Sequence, residues 1–485
     1  MSVAAPKTPG AGVARGALAL LGTQPLTWAA SLATVALLPR YLGDDGLGRL
    51  AIAFTIGAVV GTVGSLGLPN FITRRVATDP VHGATYAWSA MVVVASVVSL
   101  LGACVLLAVM ALRSPSIDIP LTAIMLGGAV VFALQGIAVS VLIGLGRNAR
   151  FALTLAASTV LGTAAGLGIL LLGGGVHGYA GLMVVASGVA TALMWRSSGL
   201  AFTRAALAPR LVRELIHGGF PFLVWNVVLR VRSDIDVVLV GLLLRPGIAG
   251  WLAAAYRIIG VTVFIPTVIT TPLMPALSRS RADPDVYRSL LRESLATVLL
   301  LTVPVSASIF ALAPVIPAFL GWPESLNNSV PLMMILAFQQ TLVGVDMVLG
   351  VSLVALGLER PWLRVAMLAA IFNPVMNLIA IPLSQSLTGN GGIGAAIVEL
   401  ATEAIFLAGA IRLTPRHLLG GESVVAAGRA LAAGFVLLFV ATLLRGSGPV
   451  IALIGGGAAY AVAAFALGAI RPRQLRALQL ALRPS

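Results

Sequence analysis

Arg230, Arg232, Asp234 and Asp236 put four ionisable side chains into seven residues of an otherwise apolar run, from about Phe220 to Leu244. Charged groups at membrane depth are costly, and where they occur they face a wet cavity or a partner. Two chemistries are open to such a set. The planar guanidinium fork of arginine makes two charge-assisted bonds to a phosphoryl group, so Arg230 and Arg232 are candidates for holding a phosphate or pyrophosphate. The carboxylates are candidates for proton or sodium coupling. Spacing of i,i+4 lets Arg230 pair with Asp234 and Arg232 with Asp236 on one helix. The two pairs stand about 200° apart on the helix wheel, so they face different surroundings.

The same reasoning reaches further along the chain. Arg257 lies roughly 12 Å below the outer end of its apolar run, as deep as Asp236 in the preceding one. The short turn between the runs lets those two residues pair across a hairpin, and Arg257 joins the phosphate-binding candidates. Glu399 and Glu403 share one helical face with no cation near them on that helix. Like charges at that spacing destabilise each other, so one is expected to be protonated or both to face an arginine elsewhere. Asp346 is similarly isolated. Asp234, Asp236, Asp346, Glu399 and Glu403 are therefore the ion-coupling candidates. Asn373 and Asn377 are expected to hydrogen-bond between helices, and Pro25 and Pro221 are candidate hinges.

The elements that must position these groups follow from composition. The 485 residues are 59% hydrophobic and 10% charged, with mean hydropathy +1.03. The apolar runs recur at the length a bilayer requires. An all-α polytopic membrane protein is expected, with about 14 transmembrane helices over residues 16–38, 48–70, 87–112, 120–143, 151–172, 177–195, 217–244, 249–275, 294–320, 330–356, 361–384, 392–411, 424–444 and 449–470.

Of the 31 basic residues, 23 collect on one side of these spans, five on the other and three inside. The positive-inside rule makes the first side cytoplasmic and puts both termini there. The formal charge of +15 is thus a rim beside anionic lipid and not a nucleic-acid surface. Lys7 is the only lysine, which excludes a Gly-Lys-Ser/Thr phosphate loop. The four histidines fall near span ends and read as polar anchors, with no metal or other cofactor expected beyond a coupling Na+ or H+. Cys104, the single cysteine, reads as a small packing residue. Asp44 and Asp45 sit in a tight glycine-bearing turn, too short for the acceptor site of a membrane glycosyltransferase.

An internal duplication is visible. Gly48 to Phe54 and Gly250 to Tyr256 both read G-x-L-A-x-A-aromatic, and Pro25 before Trp28 matches Pro221 before Trp225. Gly144-Leu145-Gly146-Arg147 echoes Gly357-Leu358-Glu359-Arg360. The expected organisation is two pseudo-repeated six-helix lobes plus two C-terminal helices. It runs as an N-terminal tail (1–15), N-lobe (16–195), linker (196–216), C-lobe (217–411), accessory spans (412–470) and basic tail (471–485). Transporters built from such repeats bind substrate between them and work by alternating access.

Pro39 to Gly48, followed by Leu66-Gly67-Leu68, resembles the N-terminal signature of bacterial oligosaccharide and polysaccharide flippases, in the multidrug/oligosaccharidyl-lipid/polysaccharide exporter superfamily. Asp234-Ile235-Asp236 through Arg257 and Met274-Pro275 is similar to that family's seventh and eighth helices. Asn377 through Pro382 and Gly392 to Ala396 are similar to its eleventh and twelfth. The resemblance implies a multi-pass protein of the bacterial cytoplasmic membrane and no enzyme. It would move a polyprenyl-pyrophosphate-linked oligosaccharide across the bilayer without ATP, for cell-surface polysaccharide. It implies a monomer whose partners are the lipid-linked glycan, membrane lipid and glycosyltransferases or a polymerase of the same pathway, with no nucleic acid.

One departure keeps alternatives open. Family members are described with a cationic cavity lined by both lobes, whereas here the deep charges all fall in the second lobe. Three arginines stand against five acids there, which suits a cation-coupled multidrug exporter. A peptidoglycan-precursor flippase is a further alternative, although its closing motif after the second span is absent. A membrane glycosyltransferase or polymerase, and a scramblase-like or scaffold protein without coupling, complete the set.

Overall fold

The computed structural model describes residues 9–200 and 209–470, with side chains from residue 24 in the first segment. Parts of the expected N-terminal tail and linker, and the whole basic tail, lie outside the described residues. All regular structure among the described residues is helical. The chain forms two compact units, Met1–Gly250 and Trp251–Ser485. The first holds α1 (Pro9–Gly64), α2 (Leu68–Thr78), α3 (Gly83–Leu112), α4 (Ile119–Gly144), α5 (Asn148–Leu171), α6 (Gly175–Ser198) and α7 (Pro209–Leu243). Next, α8 (Pro246–Thr262) runs across the boundary. The second unit continues with α9 (Phe264–Arg279), α10 (Pro284–Leu312), α11 (Ile316–Phe319), α12 (Val330–Ala355), α13 (Glu359–Thr388), α14 (Gly391–Leu413), α15 (Gly421–Leu444) and α16 (Pro449–Ala466).

Among the described residues, eleven helices are long and apolar enough to cross a membrane, or twelve with α8 and α9 taken as one bent span. The long α1 is two helices joined across Gly43, whose φ of 66° and ψ of −171° are non-helical. The 35-residue α7 carries the four charges of the opening motif and is not among the twelve. Taking the arms of α1 separately and adding α7 gives the fourteen expected from sequence. The protein is a multi-pass helical membrane protein.

Two expected spans differ from the sequence reading. The second, 48–70, ends as a helix at Gly64, because Leu66 and Gly67 take positive φ values of 52° and 68°. The amphipathic α2 then carries Arg74 and Arg75 away on a new helix. The eighth, 249–275, bends by 43° between α8 and α9. Pro266 explains the bend, since it has no N–H to give the carbonyl four residues earlier, at Thr262. That carbonyl instead accepts from Gln340 Nε2 of α12 at 2.9 Å. Cys104 corrects a third expectation, being exposed on α3 where packing was anticipated.

In the first unit, α2, α3 and α4 share a core around Val94, Ile137, Leu142 and Ile72. The lower part of α7 is seated on it in two ways. A Cβ on Gly67 would lie 2.2 Å from the Gly219 carbonyl oxygen, so only glycine permits this backbone contact. Arg75 ties the same region together, bonding Glu214 of α7 at 2.9 Å and Tyr86 of α3 at 2.6 Å. In the second unit α15 and α16 are built onto α10, where Leu299, Val303, Ala433 and Leu437 share a core and Tyr460 donates to the Leu300 carbonyl. Small residues on those faces let the helices approach, which is how helices associate without a hydrophobic drive in lipid.

Candidate functional site

Seating α7 on the α1–α2 turn brings Arg230 opposite the end of α1. Arg230 Nη1 bonds Asp234 Oδ2 at 2.6 Å, the i,i+4 pair expected from spacing. Both side chains keep about a third of their surface, 38% and 32%, so the pair stands in an open space and not in a sealed core. That space is a cavity of about 390 Å³ lined by Thr62, Ser65, Asn226, Ser233 and the ion pair. A second cavity of about 330 Å³ shares Thr62, Ser65 and Arg230 but is otherwise walled by Phe54, Met125, Phe132 and Met183. Arg230 therefore stands where a polar chamber meets an apolar one. An amphiphile with an anionic group at the join of its polar and apolar parts matches that arrangement.

Asp236 points elsewhere, as its position on the helix wheel requires. It is fully buried, and its Oδ1 accepts from the Val237 amide at 2.8 Å. Arg232 is half-buried on α7, and Arg257 lies on α8 in the second unit. Pro25 lies inside the first arm of α1, ahead of the break at Gly43, and Pro221 lies inside α7.

The second unit holds a buried polar cluster. Glu399 of α14 is 3% exposed, and its two oxygens accept from Gln339 Nε2 of α12 at 2.7 Å and Asn373 Nδ2 of α13 at 3.0 Å. Asn377 donates to Asn373 Oδ1 at 2.9 Å, which orients that amide with its nitrogen toward the carboxylate. Glu403 is fully buried one turn further on, and Asp346 is buried on α12. Asn373 makes the interhelical bond expected of it, while the bond of Asn377 lies within α13. Gln339 was not legible as a partner, because a glutamine in an apolar span announces no direction. For the same reason sequence reasoning missed Thr62, Ser65, Asn226 and Ser233, which are small polar residues scattered over α1, the turn after it and α7.

Away from the membrane depth, Asp118 caps α4 by accepting from the Leu121 amide at 3.0 Å. It also faces His177 Nε2 at 3.1 Å and Arg49 Nη1 at 3.7 Å. Burial alone would raise this carboxyl, but the Leu121 amide and His177 outweigh it and hold it below its ordinary 3.8.

Comparison with known proteins places this architecture. Residues 37–326 match a family described as polysaccharide biosynthesis protein. This covers more than half of the sequence, and the chain belongs to that family. A curated relative, the probable low-salt glycan biosynthesis flippase Agl15 of Haloferax volcanii, is 23% identical over 242 residues. That match covers 50% of each protein, so the chain spans about half the length of the curated relative it matches. Among solved structures, the lipid II flippase MurJ in an inward closed conformation has a TM-score of 0.75 at 14% identity, over 93% of this chain and 97% of that one. An inward-facing multidrug resistance MATE family transporter of the MOP superfamily has a TM-score of 0.61 at 16% identity, over 83% and 98%. At such identities the likeness is one of fold. The chain shares the fold of these two structures.

Proposed function

We propose that the protein is a flippase for polyprenyl-pyrophosphate-linked oligosaccharide used in cell-surface polysaccharide synthesis. It works by alternating access, without ATP, in the bacterial cytoplasmic membrane with both termini inside. The observation that carries this reading is Arg230 at the junction of a polar and an apolar cavity. A lipid-linked glycan has the same sequence of parts, with sugar, then pyrophosphate, then an apolar chain. Family membership supports the glycan, and the curated relative is itself named a probable flippase of glycan biosynthesis.

In this reading Arg230 binds the pyrophosphate, and Arg232 and Arg257 are the further phosphate-binding candidates. Asp234 holds the Arg230 fork in place and neutralises it between substrates. The buried acids Asp236, Asp346, Glu399 and Glu403 are the groups that couple transport to Na+ or H+. Pro25 and Pro221 supply the bending of α1 and α7. The protein performs transport and not covalent chemistry, and it meets the glycosyltransferases and polymerase of its pathway through their shared lipid-linked intermediate.

The test is leaflet translocation of a fluorescent polyprenyl-pyrophosphate glycan in proteoliposomes, under Na+ and H+ gradients in turn. Movement above that in protein-free vesicles is expected under one of the gradients, and its absence under both rejects the reading. A second reading, cation-coupled drug export, draws on the excess of deep acids. It predicts gradient-driven efflux of a lipophilic cation with no glycan movement in the same vesicles.

A further inference from the structure

The lining of a separate groove, about 620 Å³, runs along α5 from Leu153 to Ala165 and along α6 from Ala186 to Ser197. At 1.5 Å per residue this is roughly 16–18 Å of helix, about half the thickness of a hydrocarbon core. The shaft is apolar, with Ala157, Leu161, Val189 and Leu193, and none of its described lining residues is acidic. One end is cationic. Arg196 and Ser197 close it, and Arg147 and Arg150 each donate to the Ser197 carbonyl at 2.9 Å. One guanidinium in the lining, Arg196, with two more held beside it on the Ser197 carbonyl, gives the apolar slot a cationic head complementary to a phosphorylated lipid.

Behind the groove, on the other side of the α5–α6 seam, lies a cavity of about 260 Å³ rich in amide and hydroxyl groups, including Gln135, Thr159, Thr163 and Ser187. Ser158, Gly162 and Ala186 line both spaces. The two helices touch along this line, since a methyl added at Gly162 would come within 3.1 Å of the Ala186 Cβ, so the spaces join only where α5 and α6 part. Met183 in turn lines both this cavity and the apolar chamber beside Arg230. The spaces therefore follow one another from the lipid-facing side of α5 and α6 to Arg230.

We infer that the α5–α6 groove is an entry dock for the lipid-linked substrate: the polyprenyl chain lies along it with the phosphate at Arg196, and the sugar enters where the Ser158–Gly162–Ala186 seam parts, ahead of transfer of the pyrophosphate to Arg230. This rests on the flippase reading above. A membrane phospholipid offers the same phosphate, but it has no sugar to place in the hydroxyl-lined cavity. That continuity selects the polyprenyl lipid as the occupant.

The experiment titrates the purified full chain with a polyprenyl-pyrophosphate-linked disaccharide by native mass spectrometry, with phosphatidylglycerol as competitor. Ala157→Trp and Val189→Trp fill the groove from exposed positions, and Arg196→Gln removes its charge. Leu100→Trp on the exposed face of α3 is the control. Each groove variant is expected to bind about tenfold more weakly, with an unchanged unfolding temperature, while the control binds as wild type. Binding left intact in both tryptophan variants overturns the inference. So does phosphatidylglycerol that binds as well as the polyprenyl lipid and is lost in the same variants, because the groove is then one for bulk lipid. The two proposals fail separately. Wild-type glycan movement with normally binding and transporting groove variants removes the groove and leaves the flippase. Groove-dependent binding by a wild-type protein that moves no glycan does the reverse.

Discussion

A Cβ on Gly67 would lie 2.2 Å from the carbonyl oxygen of Gly219, and one on Gly219 would lie 2.3 Å from that of Leu66. The two residues are 152 positions apart in sequence, yet they fix how α7, and with it Arg230, stands against the end of α1. This gives Leu66-Gly67-Leu68 a physical reason that a pattern of letters does not supply.

Alanine at Gly67 meets both a positive φ and an occupied space, and alanine at Gly219 meets the space alone. Overpacking of this kind costs about 1–3 kcal/mol. Gly67→Ala is therefore expected to lower the unfolding temperature in detergent more than Gly219→Ala. The comparison is Gly127→Ala in α4, where nothing stands within 4 Å of the added carbon and no loss is expected. Equal behaviour of all three variants would refute the seat.

Arg230→Ala removes the cation at the junction of the two cavities. Hydrogen bonds to charged groups are worth about 1.5–3 kcal/mol, so binding of a pyrophosphate-bearing substrate should fall roughly 10- to 100-fold. Arg230→Lys restores charge without the two-pronged geometry and should recover part of it. Wild-type affinity in the alanine variant takes Arg230 out of the binding site. In Asp234→Asn the arginine loses its ionic partner, and tighter substrate binding with slower release is the expected signature.

Glu399 answers two amide donors from two other helices. Glu399→Leu strands the Gln339 nitrogen in a buried place and leaves the Asn373 nitrogen with Thr402 Oγ1 alone, at about 1–3 kcal/mol for an unsatisfied group. A lower unfolding temperature follows, and Gln339→Leu in the same chain should restore part of the loss. If Glu399 also couples transport, Glu399→Gln retains the fold but abolishes the dependence of glycan movement on the ion gradient. A gradient response identical to wild type would leave Glu399 as architecture only.

Asp118 gives a pH prediction whose sign is fixed. Its carboxyl titrates below its ordinary 3.8 in the folded protein, so the folded state favours the ionised form. The resulting stability is fully present above about pH 4 and disappears as pH falls through the lowered folded value. Asp118→Asn should flatten that acid-side loss in a series of melting curves. An unchanged acid limb would show that the cap and the His177 contact contribute nothing.

The helices were legible because a bilayer imposes length and apolarity on every crossing segment, and the Arg230–Asp234 bond was legible because i,i+4 geometry is local. The breaks were harder to read. At Leu66-Gly67 the helix ends through backbone dihedrals, and an apolar run of letters continues across it. At Val263 the bend comes from Pro266, while Pro272, Pro275, Pro304, Pro374 and Pro382 lie inside helices that continue through them. Proline alone does not say which behaviour follows. The cavity lining was the least visible part. Thr62, Ser65 and Asn226 acquire meaning only when α1 and α7 lie side by side.

The bond from Gln340 to the Thr262 carbonyl bears on leakage. A carbonyl released at membrane depth must be satisfied by something, and where no side chain reaches it water is the remaining donor. A file of such waters conducts protons. Gln340, 78 residues away along the chain, keeps that carbonyl occupied. A polytopic protein that bends its own helices in this way needs a stopper for each bend, and in this one the stopper is a single amide on a different helix.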